Sequence, residues 1–405
     1  MKKKILITGI TGQDGPYMAE LCLNLGHEVY GMVRRTAQIH DNNFRHLTMN
    51  PNFKIVRGDL LDAVSINTLV QDIKPDYFIN FAAQSFVGDS WKIPEETFVV
   101  TAVGVLRCLE AIRKYHPSCR FYNAGSSEQF GDVICTPQNE THPFRPRSPY
   151  GAAKCAAMHL VKVYRESYEL YAIQGMLFNH ESERRGEEFV TRKITKGLAR
   201  IAKAIQNGHK FESIHLGNLS ACRDWSHASD FVDAIWRMLN QEQFNIDIWQ
   251  SVCNLPKEQW TKILSANIKE YVVASGETHT IRDFITSCIV HLQNVGVMPP
   301  CQWFGTDMDE KLLIDDTYAK EHNLPREIVT IDSTFYRPAD VHLLLGDPSL
   351  IRKDLGWKSK ISFDTLTKRM VDSDLYEAGV LTNTTTNAAR SPVESQTETK
   401  FTQTS

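Results

Sequence analysis

Short apolar runs, each followed by a longer amphipathic stretch, set the rhythm of the first half of the chain. Lys3 to Thr8 is a β-branched run that ends in glycines, and Tyr17–Leu25 after it reads as a helix. Val29–Val33, Phe53–Val56 and Tyr77–Phe81 repeat the strand pattern. A helix around Val103–Tyr115 leads to a fifth strand at Arg120–Ala124. Pro149, in a helix-starting position, opens a helix over Tyr150 to Tyr168, and a strand follows at Ala172–Leu177. Strands alternating with helices predict a parallel sheet covered on both faces, an α/β fold. After about residue 180 the pattern loosens into loops and helices, which suits a smaller lobe over the carboxyl edge of the sheet.

With 405 residues and 42% hydrophobic content the chain can bury a sizeable core. Its net charge of −3 supplies no global field toward nucleic acid or membrane. No apolar run approaches the roughly 20 residues that span a bilayer. Lys2-Lys3-Lys4 resembles the start of a signal peptide, but Ile5-Leu6-Ile7 is too short an apolar segment to complete one. The nine cysteines are scattered, with no C-x-x-C pair, as befits reduced thiols in a cytoplasmic protein. Cys155 beside Lys154 reads as a small packing residue. No His/Cys cluster has metal-ligand spacing, so no metal is expected. Thr382–Ser405, rich in Thr, Ser and Asn, is expected to be a disordered tail.

Three clusters carry the chemistry. Gly9-Ile10-Thr11-Gly12-Gln13-Asp14-Gly15 follows a strand and opens a helix, the context in which glycines cradle a dinucleotide pyrophosphate. This gives the sheet a Rossmann-type, doubly wound reading. At the end of the second strand an NAD site usually has Asp or Glu. Here stand Arg34 and Arg35, whose guanidinium groups suit a 2′-phosphate, so the cofactor reads as NADP. The alternative for this pair is a solvated basic turn. Asp59 and Leu60 follow the third strand, where a carboxylate reaches the adenine amine. Ala82-Ala83-Gln84-Ser85 follows the fourth and lines the nicotinamide side.

Tyr150 and Lys154 are four apart and share a helix face. A nearby ammonium is expected to favour the phenolate, making Tyr150 a base for a substrate alcohol. Ser126 and Glu128 end the fifth strand, where α/β sheets hold ligands. Ser126 is placed to bond the same hydroxyl. Glu128 is a further acid/base that a plain alcohol dehydrogenase does not need. Oxidising C4 of a hexose acidifies the C5 proton, which a carboxylate then removes while the C6 hydroxyl departs. The alternative for Glu128 is a helix-end or salt-bridge role. A second polar concentration runs from Asn179 and His180 through Glu183, Arg184 and Arg185 to Val190, Arg192 and Lys193. With Arg223 and Arg337 it is read as the site of a nucleotide diphosphate, and Asn218 is a further substrate-binding candidate.

These residues together resemble the GDP-mannose 4,6-dehydratase family of the extended short-chain dehydrogenase/reductase superfamily. The likeness runs from Ile7 to about Asp364 and includes Pro146-Arg-Ser-Pro-Tyr150, Phe178-Asn-His-Glu181, Phe189-Val-Thr-Arg-Lys193, Arg223-Asp-Trp225 and Leu344-Leu-Gly-Asp-Pro348. The resemblance implies a two-lobed fold, with 1–180 binding NADP, later segments returning to it, and 181–381 mainly binding substrate. It implies GDP-mannose as substrate, a GDP-4-dehydro-6-deoxy product on the way to fucose and related sugars, and a homodimer or homotetramer. It also implies Glu128 and Tyr150 as acid/base residues, Ser126 at a Thr/Ser position, and cofactor contacts from Lys154, His180 and Arg185. Glu183 stands at a usual Pro and is expected to add negative charge near the cofactor or diphosphate. Phe86 stands at a usual His, and the segment 244–268 looks inserted, apolar enough to pack on the subunit or at an interface. An epimerase of the same superfamily has no use for Glu128, and a dTDP-glucose-type dehydratase carries Asp where Ser127 lies. A silent NADP-binding sensor is the reading from another class.

Overall fold

The computed structural model describes residues 2–335 and 343–382. Arg337 and, apart from Thr382, the expected tail lie outside the described residues. Six strands carry the main sheet: β1 (Lys4–Thr8), β2 (Glu28–Val33), β3 (Phe53–Arg57), β4 (Tyr77–Asn80), β5 (Arg120–Ala124) and β6 (Ala172–Leu177), with a two-residue edge strand at Val272–Val273. They lie in the order Val272–Val273, β6, β5, β4, β1, β2, β3, and every pairing is parallel. The order reverses between β1 and β4, so a crevice opens at their carboxyl ends.

Burial explains the sequence pattern. Ile5 and Ile7 of β1 face one side, packing with Val29, Ile79 and Tyr122 under the helices Asp14–Asn24 and Ala228–Leu239. Leu6 faces the other side with Phe78 and Phe121, beneath Ala63–Ile73, Gly104–Tyr115 and Pro149–Tyr168. The first helix begins at Asp14, three residues before the predicted Tyr17, because Pro16 in its first turn gives up no intrahelical hydrogen bond.

Beyond residue 180 the chain is more ordered than its pattern suggests. A separate apolar core joins Ile194, Leu198, Phe284, Leu312 and Met370. It fills the space between the helices Val190–Gln206, Ile281–Asn294 and Phe363–Glu377 and a four-stranded sheet built from Cys301–Phe304, Lys311–Ile314, Glu327–Ile331 and Ile214–Leu216. Ala228–Leu239 and Ser349–Leu355 return to the main sheet's core. So does the segment 244–268, which forms helices Ile246–Val252 and Lys257–Asn267. Ile248, Val252, Leu264 and Ile268 are buried against the first core, and Trp249 meets Trp260 edge-on at 6.0 Å. Ile246 and Trp249 stay exposed.

Candidate active site

The glycine turn sits at the end of β1, in the crevice. Gly9 takes φ +73°, and a Cβ there would lie 3.0 Å from the Ala82 nitrogen, so the ends of β1 and β4 approach as only glycine allows. A Cβ on Gly15 would come within 2.5 Å of the Gly9 oxygen, which seats the first helix tightly on the strand. Thr11 and Gly12 are exposed, and the helix start has no side-chain cap on its N–H groups. That leaves unpaired donors beside an open backbone, an arrangement that fits a dinucleotide pyrophosphate. The side chains of the turn are otherwise engaged. The Gln13 amide donates to the His180 carbonyl (2.9 Å) and accepts from the Ser182 hydroxyl (2.8 Å).

Asp14 and His180 form a half-buried pair, Nε2 to Oδ2 at 3.0 Å, while His180 Nδ1 donates to the Phe178 carbonyl at 2.9 Å. Both ring nitrogens therefore face acceptors, and the ring stacks on Phe231 at 4.4 Å. Burial works against both charges, yet the pair wins. His180, with Arg185 assisting, holds the Asp14 carboxyl below its usual range, and Asp14 raises the His180 imidazole above its own against the opposing charge of Arg185. Farther along the crevice edge, Arg34 and Arg35 are exposed past β2, and Arg57 donates to the Arg34 carbonyl. Asp59 is half-buried with its carboxylate on the Leu61 N–H, and Leu60 is buried. At the end of β4, Ala82 N–H bonds the Thr8 hydroxyl, and the Gln84 amide is spent on the Phe86 carbonyl and Thr97. Ala83 and Ser85 face the cleft.

Tyr150 and Lys154 lie in the helix Pro149–Tyr168, capped by the Ser148 hydroxyl on the Gly151 N–H at 3.0 Å. A Cβ on Gly151 would stand 2.7 Å from the Glu128 carbonyl, so this helix rests directly on the turn Ser127–Gln129. The turn is a capping box: Ser126 Oγ accepts from the Glu128 N–H, and the Gln129 side chain accepts from the Ser126 N–H. These contacts bring Ser126, Glu128, Tyr150 and Lys154 into one cleft of about 710 Å³.

The electrostatics differ from the sequence expectation. Burial pushes the Tyr150 phenol up to about 12, against the opposing hydrogen bond of Ser126. Lys154 does not bring it down. Its Nζ donates to the Ala124 carbonyl at 2.5 Å and stays 5.6 Å from the Tyr150 ring centroid. Burial lowers Lys154 itself to about 8.

The second lobe closes the cleft with Asn179, His180, Arg185, Val190, Lys193, Asn218 and Arg223. Lys193 Nζ lies 3.5 Å from the Phe335 centroid, and burial lowers its ammonium. Arg192 is not brought to this surface. It is buried and paired with Asp374, with Glu377 at 3.6 Å. Glu183 is likewise absent from the cleft wall, held instead by Tyr17 and His227. Phe86 does line the cleft, edge-on to Phe189 at 5.7 Å. Phe335 and Trp91 complete an aromatic wall that carried no periodic or motif signal in the sequence. Among the described residues no group of His, Cys, Asp and Glu is arranged to hold a metal ion, and no helix is long and apolar enough to cross a membrane.

A glycine turn at the switch of a parallel sheet, with a Tyr-x-x-x-Lys helix beside it, defines a dinucleotide-dependent enzyme of the short-chain dehydrogenase/reductase type. Solved structures share this fold. The dTDP-glucose 4,6-dehydratase of Bacillus anthracis in complex with NAD has a TM-score of 0.67 at 16% identity, covering 93% of this chain and 96% of that one. RMD of Pseudomonas aeruginosa complexed with NADPH has a TM-score of 0.64 at 18% identity, covering 93% of this chain and all of that one, 100%. Sequence resolves the family. The family model described as GDP-mannose 4,6 dehydratase matches residues 6–248 and 242–370. The GDP-mannose 4,6-dehydratase of Vibrio cholerae is 40% identical over 387 residues, 93% of this chain and 95% of its own. The human GDP-mannose 4,6 dehydratase is 39% identical over 378 residues, 91% of each. The chain belongs to the GDP-mannose 4,6-dehydratase family.

Proposed function

We propose that this chain is an NADP-dependent hydro-lyase that converts GDP-α-D-mannose to GDP-4-dehydro-6-deoxy-α-D-mannose and water. The observation that supports this most is the convergence of Ser126, Glu128 and Tyr150 on one cleft at the glycine-turn switch point. When bound, NADP supplies the acceptor and donor of hydride that keep the reaction redox-neutral. The chain's own groups handle the protons. Burial keeps Tyr150 a phenol at neutral pH, so it would act as the phenolate formed once positive charge is brought beside it, taking the C4 hydroxyl proton as that carbon is oxidised, with Ser126 orienting the hydroxyl. Glu128 removes the C5 proton and delivers it to the departing C6 hydroxyl, which leaves as water; as hydride reaches C6, C5 takes up a proton again, balanced by the one lost from the C4 hydroxyl. Oxidation at C4 and reduction at C6 balance, and no external reductant enters.

The cofactor's adenosine half falls to Gly9, Thr11, Gly12, Gln13, Arg34, Arg35, Asp59 and Leu60. Its nicotinamide half falls to Asp14, Ala83, Ser85, Tyr150, Lys154, His180 and Arg185. Asn179, Val190, Lys193, Asn218 and Arg223 receive the GDP portion, where Lys193 and Arg223 offset diphosphate charge. Residues 1–180 with the returning segments thus serve the cofactor, and 181–381 mainly the sugar nucleotide. A cytoplasmic address is consistent with nine free thiols. The exposed Ile246 and Trp249 suit a homodimer or homotetramer contact. Incubation with a panel of nucleotide sugars and mass spectrometry for loss of water tests the reading. Water lost from another nucleotide sugar but not from GDP-mannose overturns the substrate assignment.

A further inference from the structure

Residues 182–189 connect the strand Asn179–Glu181 to the helix Val190–Gln206 and carry Arg185 to the cleft. The first residues of this connection are stitched to the glycine turn. Ser182 bonds Gln13, and Asn43 donates to both the Gly12 carbonyl (3.0 Å) and the Arg184 carbonyl (3.1 Å). Glu183 is the point at which three elements meet. Tyr17, from the helix that opens at the glycine turn, donates its hydroxyl to Glu183 Oε1 at 2.6 Å. His227, from the strand Trp225–His227, reaches Oε2 with Nε2 at 3.3 Å. The Ser229 N–H donates to His227 Nδ1 at 3.1 Å, which leaves the proton on Nε2 and makes this ring a donor to the carboxylate.

The surroundings brace the same contact. His227 is 2% exposed at its side chain and lies edge-on to Tyr17 at 5.6 Å. The Arg184 guanidinium covers the other side of Tyr17 at 4.0 Å and pairs with Glu20 at 2.8 Å. Burial disfavours the Glu183 anion, yet the bonds from His227 and Tyr17 hold its carboxyl down at about 2. Two residues on, Arg185 lies 3.7 Å over the Phe189 ring, and its Nε is 3.1 Å from Glu181.

We infer that Glu183 is a positioning residue for the cofactor: by fastening the 182–186 turn to Tyr17 and His227, it keeps Arg185 and His180 closed over the dinucleotide and slows its release. Glu183 itself touches neither the cleft nor the reacting atoms.

The inference rests on the reading that the cleft holds NADP, and its test reads cofactor release rather than turnover. NADPH bound to the full-length protein is chased with excess NADP while its fluorescence is followed. Tyr17→Phe and Glu183→Ala should each release NADPH about 2- to 30-fold faster, the range of coupling carried by residues that contact neither ligand. The kcat at saturating cofactor should stay within about twofold. The double variant should be no faster than Glu183→Ala, because that variant has already lost the Tyr17 bond. Glu183→Gln, which keeps an acceptor for Tyr17, should lie between Glu183→Ala and the native chain. If Glu183→Ala does not fold, Tyr17→Phe and Glu183→Gln still decide. Wild-type release rates in both Tyr17→Phe and Glu183→Gln, or additive effects in the double variant, overturn the inference. A native chain that retains no NADPH overturns the cofactor reading instead.

Discussion

Replacing Arg192 by Met separates a structural guanidinium from a substrate-binding one. In the sequence Arg192 stands between Val190 and Lys193, both of which reach the cleft. Its own side chain is 8% exposed and pairs with Asp374, which is 1% exposed in the helix Phe363–Glu377. Burial already raises the Asp374 carboxyl, and Arg192 is the main group opposing that rise. Removing the guanidinium leaves a buried carboxylate whose remaining partners are weak. Such a loss costs about 3–5 kcal/mol. At about 2.1 cal/mol/K of unfolding entropy per residue, cooperative unfolding of a 405-residue chain translates this into a fall of roughly 4–6 °C in Tm. The double variant Arg192→Met with Asp374→Leu exchanges the ion pair for apolar packing and should recover most of that fall. Differential scanning calorimetry gives the melting temperatures, and initial rates give KM for the sugar nucleotide. A KM that rises tenfold or more with Tm unchanged would refute the placement and return Arg192 to the substrate site.

Glu128→Gln keeps the shape of the side chain but removes the base, and should slow elimination by roughly 10²–10⁴-fold. In single turnover reduced cofactor should accumulate and decay slowly, whereas turnover at the wild-type rate makes the glutamate structural. Arg34→Asp combined with Arg35→Ala should erase or reverse the preference for NADP over NAD, and unchanged selectivity removes the 2′-phosphate assignment. Lys154, lowered to about 8, is charged below that pH and loses its proton above it, so kcat/KM should fall as pH rises through about 8. Lys154→Arg should move that limb upward, and a plateau to pH 9.5 in the native chain sinks the assignment.

The glycine turn, the Tyr-Lys helix and the parallel sheet were legible because each is local. Arg120–Ala124 and Ala172–Leu177 form strands over the residues that their apolar runs predict, since a buried strand shows its burial in consecutive positions. The placement of Ser126 and Glu128 in the cleft was legible for a related reason: the end of a strand in such a sheet opens on the crevice. The second lobe was not. Its four-stranded sheet assembles strands from residues 214 to 331, so no single window contains the pairing that justifies it.

The charged stretch from Asn179 to Lys193 shows where reading by residue type fails. Residue type groups its members as one diphosphate site, yet they separate by partners more than 40 residues away. Asp374 takes Arg192 into the second core, and Tyr17 and His227 take Glu183 away from the cleft. Lys193 and Arg185 remain, each laid over an aromatic ring. Tyr150 makes the same point in energy rather than position. Four residues of spacing put Lys154 on its helix face, but Ala124 is the carbonyl that claims the ammonium. The phenol thus stays near 12 on the protein's own account. An active Tyr150 base therefore needs positive charge that Lys154 alone does not deliver, and the oxidised nicotinamide ring is the group whose binding would bring it. With the oxidised cofactor in place the phenolate would be favoured, and proton abstraction by Tyr150 would then depend on the presence of the hydride acceptor.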